Sequence, residues 1–86
     1  MKNRTAPRFW QFYKELPEDV QRLADKGVEL LKRDPRHPSL QLKKVGNFWS
    51  ARVGISYRAL AVEDGDDLIW VWIGAHDEYE RLIRRR

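Results

Sequence analysis

Arg52 and Arg58 stand in short runs that otherwise read as β-strand, and a strand that gives a position to arginine shows that face to water or to a polyanion. Alternation puts Trp49, Ala51 and Val53 on one face and turns Ser50 and Arg52 to the other, so Arg52 is displayed on the sheet and not at its rim. Charge is distributed to match. No acidic residue lies between Asp34 and Glu63, whereas Arg36, Lys43, Lys44, Arg52 and Arg58 all do, and Arg84, Arg85 and Arg86 form a basic tail. Most acids fall on the second helical segment and in the 63–67 run, so the early strands and the C-terminus form one positive surface while the far turn stays negative. The same pattern also fits a solvated sheet face followed by a basic tail, and charge alone leaves both readings open.

The 86 residues are 42% hydrophobic with four tryptophans, which suits one domain spanning 1–86 with a single core. Without cysteine there is neither a disulfide framework nor a thiolate zinc site, and two histidines are too few to suggest a metal; no cofactor is expected. No apolar run is long enough to cross a bilayer and no signal-peptide pattern opens the chain, so the expectation is a soluble cytoplasmic protein with no membrane partner. The net charge of +4 separates nucleic-acid binders poorly from ordinary basic proteins.

The elements that must position the arginines follow from periodicity. Thr5 can cap a helix running to Leu16, with Pro7 tolerated in the first turn, and Phe9, Phe12, Tyr13 and Leu16 form a core-facing stripe. Pro17, Glu18 and Asp19 open a second helix whose apolar face is Val20, Leu23, Ala24, Gly27, Val28 and Leu31, with Lys32 and Arg33 at its end. Asp34-Pro35 stops it. His37 falls in a turn-rich surface connection, after which residues 41–45 start the sheet and residues 47–53, 57–62 and 68–73 continue it as three consecutive antiparallel strands. The last strand is apolar on both faces, which makes Trp70 and Trp72 core or groove-floor residues. Tyr79, Leu82 and Ile83 then recur at helical spacing in a terminal helix. The predicted fold is α+β: an N-terminal helical hairpin packed on one face of a small antiparallel sheet, with a short C-terminal helix.

That order, together with His37-Pro38-Ser39-Leu40, Lys43, Phe48-Trp49-Ser50, Arg52-Val53-Gly54, Tyr57-Arg58-Ala59-Leu60 and the run from Ile73 through Gly74, Ala75, His76, Asp77 and Glu78 to Tyr79, resembles the RelE/ParE toxin superfamily of bacterial type II toxin–antitoxin modules. The resemblance covers residues 7–83. It implies a toxin that is held inactive by a cognate antitoxin and acts as a ribosome-dependent mRNA endoribonuclease, inhibiting translation. By position, Arg52 and Arg58 match the strand cations that hold mRNA phosphates, Tyr79 matches a C-terminal tyrosine that orients or activates the 2′-hydroxyl, and His76 sits where some members place a general acid or a charge-stabilising arginine. The implied catalytic set is His76, Tyr79 and Arg58; the implied RNA-binding set is Lys43, Lys44, Arg52, Arg58, Arg84 and Arg85. Such chemistry needs a group to take a proton, a group to give one, and fixed positive charge, which histidine and arginine supply.

The chain departs from the family in two places. The usual first strand is missing or shrunk to residues 1–5, and no carboxylate is evident on the active face to act as base. ParE-type members poison DNA gyrase without nuclease chemistry, and a degenerate domain kept for binding RNA or protein is a third alternative. His76-Asp77 also reads as a helix N-terminus, with Tyr79 as the first core residue of the terminal helix.

Overall fold

The computed structural model describes residues 2–84. Its first helix is entered from a strand and has no side-chain cap. Asn3–Thr5 forms β1, and Ala6 is still extended (φ −79°, ψ 153°) where Pro7 opens α1 (Pro7–Lys14). Proline suits that first helical position, whose N–H would have no partner. The expected Thr5 cap is therefore replaced: Thr5 Oγ1 accepts a hydrogen bond from Trp10 Nε1 at 3.0 Å. Leu16, just past the helix, still packs against the core, and Gln21 Nε2 fixes the turn by donating to the carbonyls of Tyr13 and Leu16 at 3.1 and 3.2 Å.

After α2 (Glu18–Arg33) and a single 3₁₀ turn at Pro38–Leu40, the chain runs through β2 (Lys43–Val45), β3 (Phe48–Val53), β4 (Tyr57–Asp64) and β5 (Asp67–Ala75) and ends in α3 (His76–Arg84). The sheet order is β1-β5-β4-β3-β2. Strands β2 to β5 pair antiparallel as expected, but β1 joins β5 in parallel, Asn3 opposite Leu68 and Thr5 opposite Trp70. The sheet is thus mixed, and the first strand is present. Its residues carry no apolar alternation; polar contacts hold it instead, with Trp70 Nε1 donating to Asn3 Oδ1 at 3.0 Å and Arg4 Nη2 lying 2.6 Å from Asp64 Oδ2.

The two sheet faces have separate cores. Under the α1–α2 hairpin, Phe9, Val20, Ala24 and Leu31 meet Ala51, Val53, Ala59, Ala61, Trp70 and Ile73. On the opposite face Leu60, Val71 and Trp72 pack beneath Tyr79 of α3. A β-bulge makes this division possible. Ala61 is aligned with Trp70 and Leu60 with Trp72, which leaves Val71 out of register and sends the two tryptophans to opposite faces. The Trp72 ring lies along Gly74, where a Cβ would come within 2.5 Å of it.

Helix α2 buries a narrower stripe than its spacing suggests. Val20, Ala24 and Leu31 are buried, but Leu23 and Val28 are 42% and 43% exposed. The helix meets the sheet chiefly at β3, near one side, so its apolar arc is wider than the surface available to it. Leu23 nonetheless reaches the β3–β4 turn, touching the space above Gly54, whose φ of +62° suits glycine. Among the described residues no helix is long and apolar enough to cross a membrane.

Candidate functional site

Strands β3 and β4 pair so that Arg52 lies directly opposite Arg58. Ala51 and Val53 on β3 and Ala59 on β4 point beneath the hairpin, so alternation turns both arginines to the other face, the one that α3 only partly covers. Like charges opposed across a strand pair are destabilising, by roughly 0.2–1 kcal/mol on the scale of cross-strand pairs. No carboxylate among the described residues forms an ion pair with either arginine. Arg52 Nε donates to the Gly54 carbonyl at 2.8 Å, and Arg58 Nη2 donates to Gln41 Oε1 at 3.1 Å. The Arg58 guanidinium carbon lies 5.5 Å from the Tyr79 ring centroid. Its Nη1 is buried without a hydrogen-bond partner, and so is Ser50 Oγ on the same side of β3. A buried donor left unmet costs about 1–3 kcal/mol, and with so little accessible surface it meets an outside acceptor only after the side chain moves.

Tyr79 and His76 come from the first turn of α3. Tyr79 is 4% exposed and belongs to the core on this face, its ring touching Arg58 on one hand and lying 5.6 Å from the His76 ring on the other. His76 is the hinge between β5 and α3: its backbone N–H donates to the Ser56 carbonyl at 2.8 Å. Its Nε2 lies 3.2 Å from Glu80 Oε1, one helical turn on. Sequence reasoning missed Glu80, although its i,i+4 spacing from His76 was the available signal. It also missed Gln41, which holds Arg58 from a left-handed backbone conformation (φ +46°) uncommon outside glycine. No local pattern announced that contact across 17 residues.

The remaining cations divide. Lys43 pairs with Ser50 and therefore shares the face of Arg52, exposed and free of any carboxylate among the described residues. Lys44 pairs with Trp49 and belongs to the hairpin side, where its Nζ lies 3.2 Å from Glu63. Trp49 Nε1 also donates to Glu63, at 2.7 Å, and this bond first and Lys44 second hold the Glu63 carboxyl below its ordinary value of 4.5. Lys44 is thus set apart from the arginine face and already paired. Arg84 is exposed in the last turn of α3, and Arg85 lies outside the described residues.

The layers that position these residues are shared with solved structures. A chain of the RelB–RelE antitoxin–toxin complex from Methanococcus jannaschii superposes with a TM-score of 0.72 at 19% identity, covering 92% of this chain and 96% of that one. YafQ from E. coli gives 0.67 at 10% identity over 91% and 96% of the two chains. The YoeB/ParE toxin from Agrobacterium tumefaciens gives 0.64 at 16% identity over 88% and 99%. No protein-family model matches the sequence, and no curated protein matches it. The likeness establishes the fold: helical hairpin, mixed sheet and terminal helix are those of the RelE-type toxins.

Proposed function

From the RelE-type fold and the arginine pair on its half-open sheet face, we propose that this protein is the toxin of a type II toxin–antitoxin module and cleaves mRNA on the ribosome. The observation that carries the reading is Arg52 opposed to Arg58 with no carboxylate paired to either among the described residues. A fold gains nothing from such a pair, whereas a phosphodiester placed between two guanidinium groups neutralises both and accepts from their planar donors.

The chemistry that suits these residues is attack of a ribose 2′-hydroxyl on the adjacent phosphorus. A new 2′-O–P bond forms, the P–O5′ bond breaks, and the products are a 2′,3′-cyclic phosphate and a free 5′-hydroxyl. Arg52 and Arg58 hold the non-bridging oxygens as charge accumulates on them. Glu80 takes the 2′-hydroxyl proton and His76 beside it gives one to the departing 5′-oxygen. Their 3.2 Å contact then lets the proton on Glu80 return to His76, which restores both groups. Tyr79 acts through its ring, as the surface on which Arg58 and His76 rest, because its side chain is packed in the core. The partner is an antitoxin whose acidic, amphipathic segment covers the arginine face in place of RNA.

Purified protein added below stoichiometry to translating ribosomes should produce cuts within A-site codons, and Arg58→Ala should lower their rate at least tenfold. A wild-type protein that makes no cuts ends the nuclease reading. A second reading, inhibition of DNA gyrase without cleavage, is favoured by the place of Tyr79 in the core of this face, a packing role that needs no catalysis. A supercoiling assay decides it: gyrase unaffected by excess protein excludes that target.

A further inference from the structure

The link from α2 to β2, residues 34–41, is held together by local hydrogen bonds. His37 N–H donates to the Asp34 carbonyl at 3.0 Å and Arg36 N–H to Asp34 Oδ1 at 3.3 Å; Leu40 N–H then donates to the His37 carbonyl at 3.1 Å and Gln41 N–H to that of Pro38 at 3.2 Å. A ring supplies one more. Ser39 N–H donates to His37 Nδ1 at 3.1 Å, so a half-buried imidazole does for the Pro38–Leu40 turn what a serine or aspartate usually does for a helix. Leu40, 4% exposed, roots the turn in the hairpin-side core. Gln41 leaves the turn at φ +46° and ψ +43°, and its side chain accepts from Arg58.

We infer that His37 is a positioning residue for Arg58, acting through Gln41; its effect on cleavage rests on the nuclease reading, and its effect on the guanidinium does not. A left-handed backbone at glutamine costs energy and persists only where its surroundings fix it. Downstream it is fixed by β2, whose pairing begins two residues on with Lys43 opposite Ser50. Upstream it is fixed by the turn, whose last bond is that of Gln41 itself to Pro38. Pro38 has no N–H, so Ser39 offers the first donor of the turn; without the imidazole that donor turns to water and the turn opens from its start. Gln41 then relaxes to right-handed or extended backbone, its amide leaves Arg58, and the guanidinium loses the side chain that accepts from it. A cap that served stability alone would lower the urea midpoint on removal and change nothing at Arg58, which separates the two roles.

The test compares His37→Ala with His37→Asn, since asparagine presents an acceptor to the same N–H and alanine presents none. On translating ribosomes His37→Ala should lower kcat about three- to tenfold, with KM within about twofold of wild type, and His37→Asn should recover most of the loss. In a Gln41→Ala background His37→Ala should cost nothing further, because its path to Arg58 is already cut. Ser39→Ala keeps the N–H and should cleave as wild type does. Independently of cleavage, the Arg58 guanidinium nitrogen resonances, identified by their loss in Arg58→Ala, should shift in His37→Ala as they do in Gln41→Ala and return in His37→Asn. Losses of kcat that multiply in the double variant, or guanidinium resonances unmoved by His37→Ala, overturn the assignment while leaving the nuclease reading standing. If wild type makes no cuts the nuclease reading falls, and the nitrogen resonances alone decide the role of His37.

Discussion

Arg58 shows at a single residue how little of a side chain's placement the fold itself rewards. It faces another arginine, leaves one donor buried and unmet, and recovers only a ring contact of about 0.5–1 kcal/mol and one amide hydrogen bond. Removing Arg52 relieves the repulsion and breaks only a local bond to Gly54. Arg52→Thr should therefore hold or raise thermal stability, within about 1 kcal/mol, while lowering cleavage at least tenfold. A melting temperature that collapses in this variant would show the arginine to be structural. In the proposed reaction Gln41, which accepts from Arg58, is a positioning residue. Gln41→Ala frees the guanidinium and should lower kcat more than it raises KM, and Gln41→Asn, one methylene shorter, should not restore it. The face of Arg52 was legible in the sequence because strand alternation fixes it, whereas the parting of Lys43 and Lys44 to opposite faces depends on the β2–β3 register and was not. Glu80 and Gln41 were harder to see: one required reading His76 as the start of a helix, and the other rests on a side chain reaching across the sheet from a left-handed turn.

Two elements depend on side chains that local pattern does not reveal. The meander and the helical hairpin could be read from periodicity, but β1 could not, because a three-residue polar strand is fixed by Asn3 on Trp70 and Arg4 on Asp64. The bulge at Val71 was equally hidden: a run apolar on both faces looks the same with or without a slipped residue. Its consequence is that Trp72 lies on the α3 face along Gly74. Gly74→Ala forces that ring off its place, which should cost about 1–3 kcal/mol and lower the melting temperature. At the sheet's other side, Glu63 joins β4 to β3 through Trp49 and to β2 through Lys44. Its carboxyl is lowered in the fold, so the charged form is the one the fold prefers. The stability it contributes is present above its ordinary value of 4.5 and is lost as pH falls through the lower, folded value. Glu63→Gln should accordingly flatten the acid limb of a urea midpoint measured against pH, and an acid limb identical to wild type would show that the contact is not maintained in solution. The Tyr13 hydroxyl is the opposite case. Its hydrogen bond to Asp25, with burial second, raises it above 10.0, so the link between α1 and α2 persists below that pH and is lost as pH rises beyond it.

At the scale of the whole molecule, charge is sorted by face more sharply than the net +4 suggests. The acids of the β4–β5 turn are drawn to β1, where Arg4 meets Asp64 and Asp67, and Lys44 is neutralised by Glu63 on the hairpin side. Lys43, Arg52 and Arg58 are left as a short, unneutralised row across β2, β3 and β4 on the opposite face. On the proposed reading this sorting confines RNA to one side, and salt measures how many cations take part. Each phosphate contact to single-stranded RNA contributes about −0.7 to the slope of log K against log salt, so three cations give about −2. Arg52→Ala should reduce that slope by about 0.7 on a short single-stranded RNA, whatever its sequence. Lys44→Ala should leave the slope unchanged, because its charge is already met and faces away. Equal losses from the two variants would mean that RNA is held by diffuse positive charge, and the paired arginines would then have no special claim to the phosphate.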